Sequence, residues 1–477
     1  MTESWATFGA DLHLEPVPGR GVRAGLTEAL REAARSGRLA PGTRLPSSRS
    51  LAADLGIARN TVAEAYAELV AEGWLTARRG SGTRVAERAR VGGGGGGAGA
   101  GAGARRPAAA VPVRRPVRAQ PSYSLQPGSP DLGGFPRTAW LAAARRALTA
   151  APNEAFGYAD PRGRVELREA LAGYLARARG VYADPERIVL CAGFGQGLLL
   201  LARLLRARRI REIAVEGYGL DVHRELLTGS GLRTRPLAVD GAGARTTELA
   251  GCGAGAVLLT PAHQFPTGAA LTPGRRAAAV DWARSTGGLI LEDDYDGEFR
   301  YDRQPVGALQ GLDPDRVVYL GTASKSLAPG LRMGWMVVPG PLMEEVLAVK
   351  GRTDWSSSAL DQLTLAEFIR SGAYDRHVRE MRLRYRRRRD ELVAAVGERA
   401  AVSGIAAGLH AVLDLPPGGE RAALRSAAWQ DLGLQPLSFF RHPEAVMAPR
   451  EALVVGFGTP SQSEWAPTLT ALVASLP

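Results

Sequence analysis

Residues 316–335 read RVVYLGTASKSLAPGLRMGW, an apolar run that passes into small and hydroxyl residues around Lys325. Four more short apolar runs also end in polar or small residues, at 187–191, 211–216, 255–261 and 287–294. Helical stretches rich in Ala, Leu and Arg lie between several of these runs, for example at 197–209 and 275–287. This alternation predicts an α/β fold with a mostly parallel sheet covered by helices. Because such sheets bind ligands beyond the carboxyl ends of their strands, the residues after each run are the candidates for a site.

The composition is that of an ordinary globular protein, with 477 residues, 45% hydrophobic and 23% charged. At about 150 residues per domain, this length predicts two or three domains. Two cysteines exclude a disulfide framework and indicate a reducing compartment, so we expect a cytoplasmic protein. No apolar run reaches the roughly 18 residues of a membrane span, and the N-terminal sequence lacks the basic and apolar regions of a signal peptide.

The charge balance favours a polyanionic partner. Sixty Lys and Arg residues against 48 Asp and Glu give a net charge of +12 and a pI near 10.2, which is typical of nucleic-acid binding, although a general bias toward arginine gives the same surplus. Only Lys325 and Lys350 are lysines. Arginine stays protonated whereas lysine can become a nucleophile, so Lys325 within an ordered motif indicates reactivity rather than surface charge.

A change in composition divides the chain. Residues 86–121 contain six consecutive glycines at 92–97, then alternating Gly and Ala, then Pro and Arg. Such a segment offers nothing to pack and predicts a tether between domains. The predicted organisation is a small N-terminal domain at 1–85, a linker at 86–121 and a large domain at 122–477.

The first 85 residues have the pattern of a winged helix-turn-helix. Residues 21–39 carry helical apolar spacing, residues 47–56 predict a short helix with a serine cap, and residues 58–73 resume the 3.6-residue period. A short turn containing glycine joins the last two helices, and two β-prone pieces follow as a wing at 74–85. In this arrangement the first turn of the last helix faces base edges in the major groove of double-stranded DNA.

Several side chains of this region are placed to contact DNA. Arg59 can read guanine, Asn60 can read adenine, and Thr61 can hold a phosphate. Arg49 can reach the backbone or a base, and the wing arginines can enter the minor groove or hold phosphate; these are Arg78 and Arg79.

Residues 37–85 closely resemble the winged helix-turn-helix of the GntR family of bacterial regulators. The likeness is carried by PG-x-RLPSSR-x-LA, by R-N-TV at the helix start, and by GW-L…GSGT-x-V in the wing. It implies DNA contacts from Arg49, Arg59, Asn60, Thr61, Arg79 and Gly80. Ala58 departs from the Ser or Thr often found there, which puts one phosphate contact in doubt. A helical hairpin used for protein contacts is the alternative.

The large domain carries the groups that pyridoxal phosphate requires. The cofactor needs an amine for its aldehyde, a carboxylate for its pyridinium nitrogen, a donor to its phenolic oxygen and a cradle for its phosphate. Lys325 can supply the amine, and Asp293 and Tyr295, at the end of another predicted strand, can supply the next two. In CAGFGQG, Gly195 and Gln196 open a helix and can present backbone N–H groups to the phosphate.

Most of 122–477 resembles the fold-type I aminotransferases, through GYADPRG, AGFGQG, EGYG, TPAHQFPTG, EDDYDGEFRY and GTASKSLAPGLRMGW. The resemblance implies a large mostly parallel sheet with a smaller C-terminal α+β subdomain. It implies that Lys325 is the Schiff-base lysine of pyridoxal 5′-phosphate, that Asp293 pairs with the ring nitrogen and that Tyr295 bonds the phenolic oxygen. The resemblance also implies that Arg332 and Thr322 contact the cofactor phosphate and that Tyr218 covers the cofactor ring. It implies that Tyr158 reaches the phosphate in a neighbouring subunit, and therefore that the protein is a homodimer.

Two departures limit this resemblance. Phe265 stands where many aminotransferases have an asparagine that bonds the cofactor oxygen, so Tyr295 is left to make that contact alone. The arginine that would hold a substrate or effector carboxylate has no sharp motif, and Arg441 and Arg450 are both candidates.

Together the two resemblances identify the MocR subfamily, in which a GntR-type winged helix and a long linker precede an aminotransferase-like domain. The implied function is a transcriptional regulator that senses pyridoxal phosphate, an amine effector, or both through Lys325, with operator DNA as its partner. The main alternative is an active aminotransferase that carries a DNA-binding domain. In a third possibility the cofactor is only structural.

Other interpretations of single motifs explain less. A dinucleotide site at GFGQG with Glu216 leaves Lys325 and Asp293 without a role. The acidic cluster at 292–296 has no nearby histidine and the six histidines show no ligand spacing, so no metal is expected. Residues 382–392, RLRYRRRRDEL, predict a solvated helix face, with auxiliary phosphate binding as the alternative.

Overall fold

The computed structural model describes residues 21–36, 38–78, 82–86, 121–301, 306–352 and 357–477. They divide into two compact units, one within residues 1–113 and one within 114–477. Nearly all of the predicted linker, 86–121, lies outside the described residues, so its boundaries stay predictions. Among the helices that are described, none has both the length and the apolar character to cross a membrane.

The small unit contains three helices and a two-stranded wing. Its elements are α1 (Val22–Arg35), α2 (Ser48–Leu55), α3 (Arg59–Ala71), β1 (Leu75–Arg78) and β2 (Gly82–Val85). Ser47 begins α2 by accepting the backbone N–H of Ser50 at 3.1 Å, and Gly56 ends it at φ +65°, a left-handed conformation that glycine adopts without strain. This turn places α3 three residues later. The strands pair antiparallel, and apolar residues of the three helices form the core, including Leu26, Leu30, Leu51, Val62 and Leu69.

The large unit begins with strand β3 and alternates helices with strands. Its helices are α4 (Arg137–Ala150), α5 (Val165–Arg179), α6 (Phe194–Ala207), α7 (Asp221–Gly229), α8 (Pro273–Thr286), α9 (Met343–Gly351), α10 (Ala359–Arg370), α11 (Ala373–Val396), α12 (Gly419–Trp429) and α13 (Trp465–Ser475). Its strands are β3 (Tyr123–Ser124), β4 (Ile188–Cys191), β5 (Glu212–Glu216), β6 (Arg233–Leu237), β7 (Val239–Asp240), β8 (Gly243–Ala244), β9 (Ala256–Leu259), β10 (Leu289–Asp293), β11 (Val317–Thr322), β12 (Gly334–Val337), β13 (Ala401–Ser403), β14 (Ala411–Asp414), β15 (Leu432–Gly433), β16 (Gln435–Pro436) and β17 (Ala452–Val455).

Seven strands form the main sheet in the order β4-β12-β11-β10-β9-β5-β6. All pairs are parallel except those of β12, which runs antiparallel to β4 and to β11. Successive residues of β10 pack into different cores: Ile290 lies with Trp282 of α8, and Leu291 lies with Leu198 of α6. Helices therefore cover both faces, and the predicted mostly parallel α/β fold is confirmed.

The predicted smaller α+β subdomain is present at the C-terminal end. Its sheet has the order β13-β14-β17-β16, and helices α12 and α13 pack against each other beside it. Buried apolar residues of these elements form its core, including Leu413, Leu453, Val455, Trp465 and Leu472.

The prediction of a solvated face for residues 382–392 is wrong at Arg388. This arginine of α11 is 2% exposed and donates to Pro460 O at 2.8 Å and to Asp131 Oδ2 at 3.0 Å. Its guanidinium carbon lies 5.4 Å from the centre of the Trp465 ring. A buried arginine is tolerated here because a carboxylate and backbone carbonyls replace its water.

Candidate functional site

A cavity of about 280 Å³ lies at the carboxyl ends of the parallel strands of the main sheet. Glu216, Asp293 and Thr322 each end a strand and line this cavity, and Thr260, directly after β9, lines it too. The first residues of α6, which follows β4, form a further wall. Parallel α/β sheets bind ligands at this edge, and the volume is close to the roughly 300 Å³ lower bound of small-molecule pockets.

Lys325 lies in the segment that returns from β11 to the antiparallel strand β12. Backbone bonds from Ala323 N to Met333 O at 3.0 Å and from Leu327 N to Ala323 O at 2.9 Å fix this segment. The Lys325 Nζ group donates to the carbonyl of Gly128 and lines the cavity. Burial lowers the pKa of Lys325, while the carboxylates of Asp293 and Asp296 oppose the shift. A lowered pKa favours the neutral, nucleophilic amine.

Asp293 faces the same cavity from the end of β10. It is 6% exposed, and within the described part of the chain its Oδ1 atom is buried and has no hydrogen-bond partner. Burial raises the pKa of Asp293 well above its ordinary value, and the charge of Lys325 opposes this rise. A buried polar atom that lacks a partner costs about 1–3 kcal/mol. The protonated ring nitrogen of pyridoxal phosphate would supply the missing donor, so Asp293 fits that cofactor.

Tyr295 belongs to a buried polar cluster beside the cavity. Its Oη atom lies 3.1 Å from His263 Nδ1, which lies 2.8 Å from Asp296 Oδ2. Burial raises the pKa of Tyr295 well above its ordinary value, and the carboxylates of Asp296 and Asp293 raise it further, so its phenol is a donor at neutral pH. The ring of Phe265 meets the Tyr295 ring edge to face, with centres 5.9 Å apart, and offers no polar contact in the place of an asparagine.

The same cluster contains a group that spacing along the sequence did not reveal. Ligand atoms of His263, Asp296 and His410 lie within 4.8 Å of one another, and this is the one set of metal-ligating type among the described residues. Burial lowers the pKa of His410 to about 3. His410 Nε2 lies 3.0 Å from Pro266 O and His263 Nδ1 lies on Asp296, so hydrogen bonds account for these two nitrogens.

The cavity also has a part that is suited to an anion. Gly193 precedes α6 with φ +85°, and a Cβ at this position would lie 3.4 Å from the Arg332 guanidinium, in van der Waals contact. Arg332 Nη2 donates to Ala192 O at 2.7 Å, which holds the cation beside the first turn of α6. Gly195, Thr322 and Arg332 all line the cavity, so a helix N-terminus, a hydroxyl and a guanidinium meet there.

Of three further predicted cofactor residues, one lines the cavity and two do not. Tyr218 is 3% exposed and lines the cavity, in agreement with a residue that covers a ring. Gln196 does not line it, and its Oε1 accepts the N–H of Ala192. Tyr158 is fully exposed on the surface before α5 and lies outside the cavity of its own chain. Their roles stay predictions.

Neither candidate for the effector carboxylate lines the cavity. Arg441 Nη2 donates to the carbonyls of Ala445 and Met447 at 3.0 and 2.7 Å. Arg450 Nε donates to Asp414 Oδ1 at 2.6 Å. Both guanidinium groups thus have protein partners, and the choice between them stays open.

Sequence reasoning missed several lining residues. Glu216 accepts from Gln264 Nε2 at 3.1 Å, and burial raises the pKa of Glu216 to about 7. Its position at a strand end was the available signal. His223 and Arg224 of α7 also line the cavity, and only their closeness to the EGYG motif pointed to them. Gly128 arrives from a distant segment that carries no local signal.

Three of the predicted DNA-contact residues of the small unit lie at the start of α3. Arg59 and Asn60 are exposed at the beginning of α3, Thr61 is half-buried, and Arg49 is exposed on α2. Within the described residues, no carboxylate pairs with Arg49 or Arg59, so both guanidinium groups are available to phosphate or bases. Ala58 begins α3 without a side-chain cap. Arg79, Gly80 and the side chain of Arg78 lie outside the described residues.

These features define a chain that joins a winged helix to an aminotransferase-like fold. The family described as "Aminotransferase class I and II" matches residues 125–434, and "Bacterial regulatory proteins, gntR family" matches residues 23–85. A crystal structure of an archaeal alanine:glyoxylate aminotransferase has a TM-score of 0.66 at 26% identity, over 74% of this chain and 89% of that one.

Two regulators are similar over most of their length. The probable rhizopine catabolism regulatory protein MocR of Rhizobium meliloti is 33% identical over 91% of this chain and 89% of its own. The HTH-type pyridoxine biosynthesis transcriptional regulator PdxR of Corynebacterium glutamicum is 33% identical over 84% of each chain. The chain therefore belongs to the MocR-type subfamily of GntR transcriptional regulators, which confirms the resemblance found in the sequence.

Proposed function

We propose that this protein is a homodimeric transcriptional regulator that binds pyridoxal 5′-phosphate through a Schiff base at Lys325. The cofactor, an amine effector, or both together change its contacts with operator DNA. Because its partner is operator DNA, we place it in the cytoplasm.

One observation carries this proposal. Lys325 and Asp293 line one cavity, and Asp293 Oδ1 has no hydrogen-bond partner among the described residues. The same chain carries a winged helix on which Arg49 and Arg59 have no carboxylate partner within its described part. Desolvation without compensation is costly, so a buried carboxylate beside a reactive amine indicates a ligand that satisfies both.

The predicted cofactor residues would each have a defined task. Bound pyridoxal phosphate supplies an aldehyde that captures amines. Asp293 would hold the ring nitrogen, and Tyr295 would donate to the phenolic oxygen. Tyr218 would cover the ring, while Arg332, Thr322 and the N–H groups of Gly195 and Gln196 would hold the phosphate.

The dimer and the DNA contacts are inferred from exposed residues. Tyr158 is fully exposed in the described chain, as expected of a side chain that reaches a neighbour's phosphate. Arg49, Arg59, Asn60 and Thr61 would contact the operator, with Arg79 and Gly80 from the wing. An effector shifts DNA binding only if it has different affinities for the two states of the protein.

Footprinting on the DNA upstream of the protein's own gene tests the function. Wild type, Lys325→Ala and a surface control, Arg203→Ala on the exposed side of α6, are compared with and without pyridoxal phosphate. We expect the cofactor to change the footprint of wild type and Arg203→Ala but not of folded Lys325→Ala. A footprint indifferent to the cofactor would contradict sensing and favour a structural cofactor.

The lysine content allows an independent test of cofactor attachment. Because Lys325 and Lys350 are the only lysines, and Lys350 is 1% exposed, borohydride reduction followed by peptide mass mapping gives a binary answer. We expect the phosphopyridoxyl mass on the peptide that contains Lys325. Its absence from that peptide would refute the proposed attachment.

An active aminotransferase with a DNA-binding domain is the second candidate. The cavity brings together Lys325 and Asp293, the groups that transamination requires. Turnover separates the two functions, because an enzyme releases keto acid through many cycles, whereas a sensor holds its ligand. Sustained keto-acid release without any specific footprint would favour the enzyme.

A further inference from the structure

Arg224 is a cation on the cavity wall that the cofactor residues leave without a task. It lies on α7, and its side chain lines the cavity together with Lys325 and Arg332. Arg224 Nη1 donates to Gly219 O at 2.7 Å and to Phe440 O at 3.3 Å. Among the described residues no carboxylate lies within ion-pair distance of its guanidinium group, which therefore has two carbonyls but no counter-charge.

The surroundings of Arg224 make an unpaired cation costly. The residue is half-buried, and burial lowers the pKa of Arg224 against the weak opposing effect of Asp221 and Glu225. A guanidinium group stays protonated under such conditions, so the charge persists in a partly dry wall. A ligand anion at this position would relieve the cost through a charge-assisted hydrogen bond.

His223, which precedes Arg224 on α7, is uncharged and so does not provide a second cation for that anion. Burial, assisted by the charges of Lys325 and Arg224, lowers the pKa of His223 to about 4, so its ring is neutral at pH 7. The ring packs on Phe194, with centres 4.6 Å apart. The α7 wall therefore offers one cation, one neutral imidazole and the apolar side chains of Leu220 and Leu227.

The two arginines of the cavity belong to different elements. Arg332 lies beside the first turn of α6, where it contacts Gly193 and Ala192. Arg224 instead bonds the carbonyls of Gly219 and Phe440, next to Tyr218. Arg332 is thus the arginine available for a cofactor phosphate, and Arg224, which different carbonyls hold, remains. Neither Arg441 nor Arg450 lines the cavity, whereas Arg224 does.

We propose that Arg224 binds the carboxylate of an amino-acid effector whose amine is directed toward Lys325. This inference rests on the proposed function, since it assumes that the cavity holds pyridoxal phosphate. It narrows the effector class to molecules that carry both an amine and a carboxylate, and it assigns the distinction between amino acids and simple amines to one side chain.

The test compares each amino acid with the amine that lacks its carboxylate. Glycine, β-alanine and 4-aminobutyrate are titrated into the cofactor-loaded full chain, beside methylamine, ethylamine and propylamine. Dissociation constants are taken from calorimetry and, separately, from the visible absorbance of the cofactor. A hydrogen bond to a charged group contributes about 1.5–3 kcal/mol, which corresponds to roughly ten- to hundredfold in affinity. We expect a preference of that size for at least one amino acid over its amine.

The variants assign this preference to a residue. We expect Arg224→Gln to bring the ratio of amine to amino-acid dissociation constants close to one. Arg224→Lys keeps the charge but not the planar fork, so its ratio should be intermediate. Arg203→Gln, on the exposed side of α6, is the matched control and should keep the wild-type ratio.

Three outcomes would overturn the inference. They are the absence of any carboxylate preference in wild type, an unchanged ratio in Arg224→Gln, and loss of the preference in Arg441→Gln or Arg450→Gln instead. If wild type retains the cofactor and binds amines without preferring amino acids, only the inference fails. If wild type does not retain the cofactor, the proposed function fails as well.

Discussion

The buried ion pair behind the cofactor strand offers a quantitative test of the architecture. Asp294 follows Asp293 and accepts from Arg179 Nε at 2.6 Å, from Arg179 Nη2 at 2.8 Å and from Tyr319 Oη at 2.8 Å. The side chains of Arg179 and Asp294 are 5% and 1% exposed. Substituting Asp294→Asn leaves the guanidinium group buried without its counter-charge and turns an amide N–H toward a donor. We expect a loss of about 3–5 kcal/mol in the free energy of unfolding.

An exposed pair of equal length provides the control. Arg208 and Glu345 are also 2.6 Å apart, but their side chains are 45% and 43% exposed. Solvent screening limits such a pair to about 0–1 kcal/mol, so Glu345→Gln should be nearly neutral. The shortest donor–acceptor distance is the same in both pairs, which differ in burial and in the number of hydrogen bonds, three to Asp294 and one to Glu345.

The assay must report on the large unit alone. Pulse-labelling hydrogen exchange at increasing urea, measured on peptides from α5 and β10, meets this requirement. The double variant Arg179→Met/Asp294→Leu should recover part of the loss, although Gly297 O then lacks the Arg179 Nη1 donor that lies 2.9 Å away. Equal, small losses for Asp294→Asn and Glu345→Gln would refute the reasoning.

Three further predictions follow from the site and the small unit. Asp293→Asn should leave the stability of the cofactor-free protein unchanged or raise it, because Oδ1 is buried without a partner among the described residues. The same substitution should weaken cofactor binding roughly tenfold or more. Urea unfolding measures the first effect and cofactor titration the second. Burial, assisted by the charge of Asp294, raises the pKa of Glu292 from 4.5 to about 7, so its contribution to stability is present below pH 4.5 and lost as the pH rises through 7. Glu292→Gln should therefore cost less at pH 8 than at pH 5 in urea unfolding, and an equal cost at both would contradict the shift. Ala58→Ser should cap α3 and stabilise the small unit by about 1 kcal/mol, measured by hydrogen exchange on α3 peptides, where unchanged protection would disprove the missing cap.

The parts of the fold that repeat a local period could be predicted from the sequence. The runs that end in Cys191, Glu216, Asp293 and Thr322 are buried strands because both faces of the sheet are covered, which makes the whole run apolar. Strand β6 escaped prediction because it is an edge strand whose residues, RTRPL, include two arginines and a proline. The antiparallel direction of β12 depends on how the segment around Lys325 connects β11 to β12. No local sequence pattern encodes the conformation of that connection.

Side-chain partners were harder to predict than strands. Arg388 lies among exposed arginines of α11, and residue type alone does not show which side of this helix faces the core. Likewise, Gly128 and His410 reach the cavity from segments far apart in sequence, so only tertiary packing brings them to Lys325. The residues around Lys325 were identifiable because the chemistry of a cofactor demands particular groups at strand ends.

The charges of the cavity also bear on how a signal would reach DNA. Among the described residues, Asp293 Oδ1 has no hydrogen-bond partner and Arg224 has no ion-pair partner. A ligand that satisfies both stabilises the folded large unit, by about 2.7 kcal/mol at a hundredfold excess over its dissociation constant. Stabilisation of this kind is not by itself a signal, because a ligand that binds two conformations with equal affinity does not change the equilibrium between them. Binding of effector and operator is linked thermodynamically. If the effector changes the affinity of the protein for operator DNA by some factor, operator DNA changes the affinity of the protein for the effector by the same factor. Measuring amino-acid affinity with and without operator DNA therefore separates a regulator, in which the two values differ, from an enzyme with an attached winged helix, in which they agree.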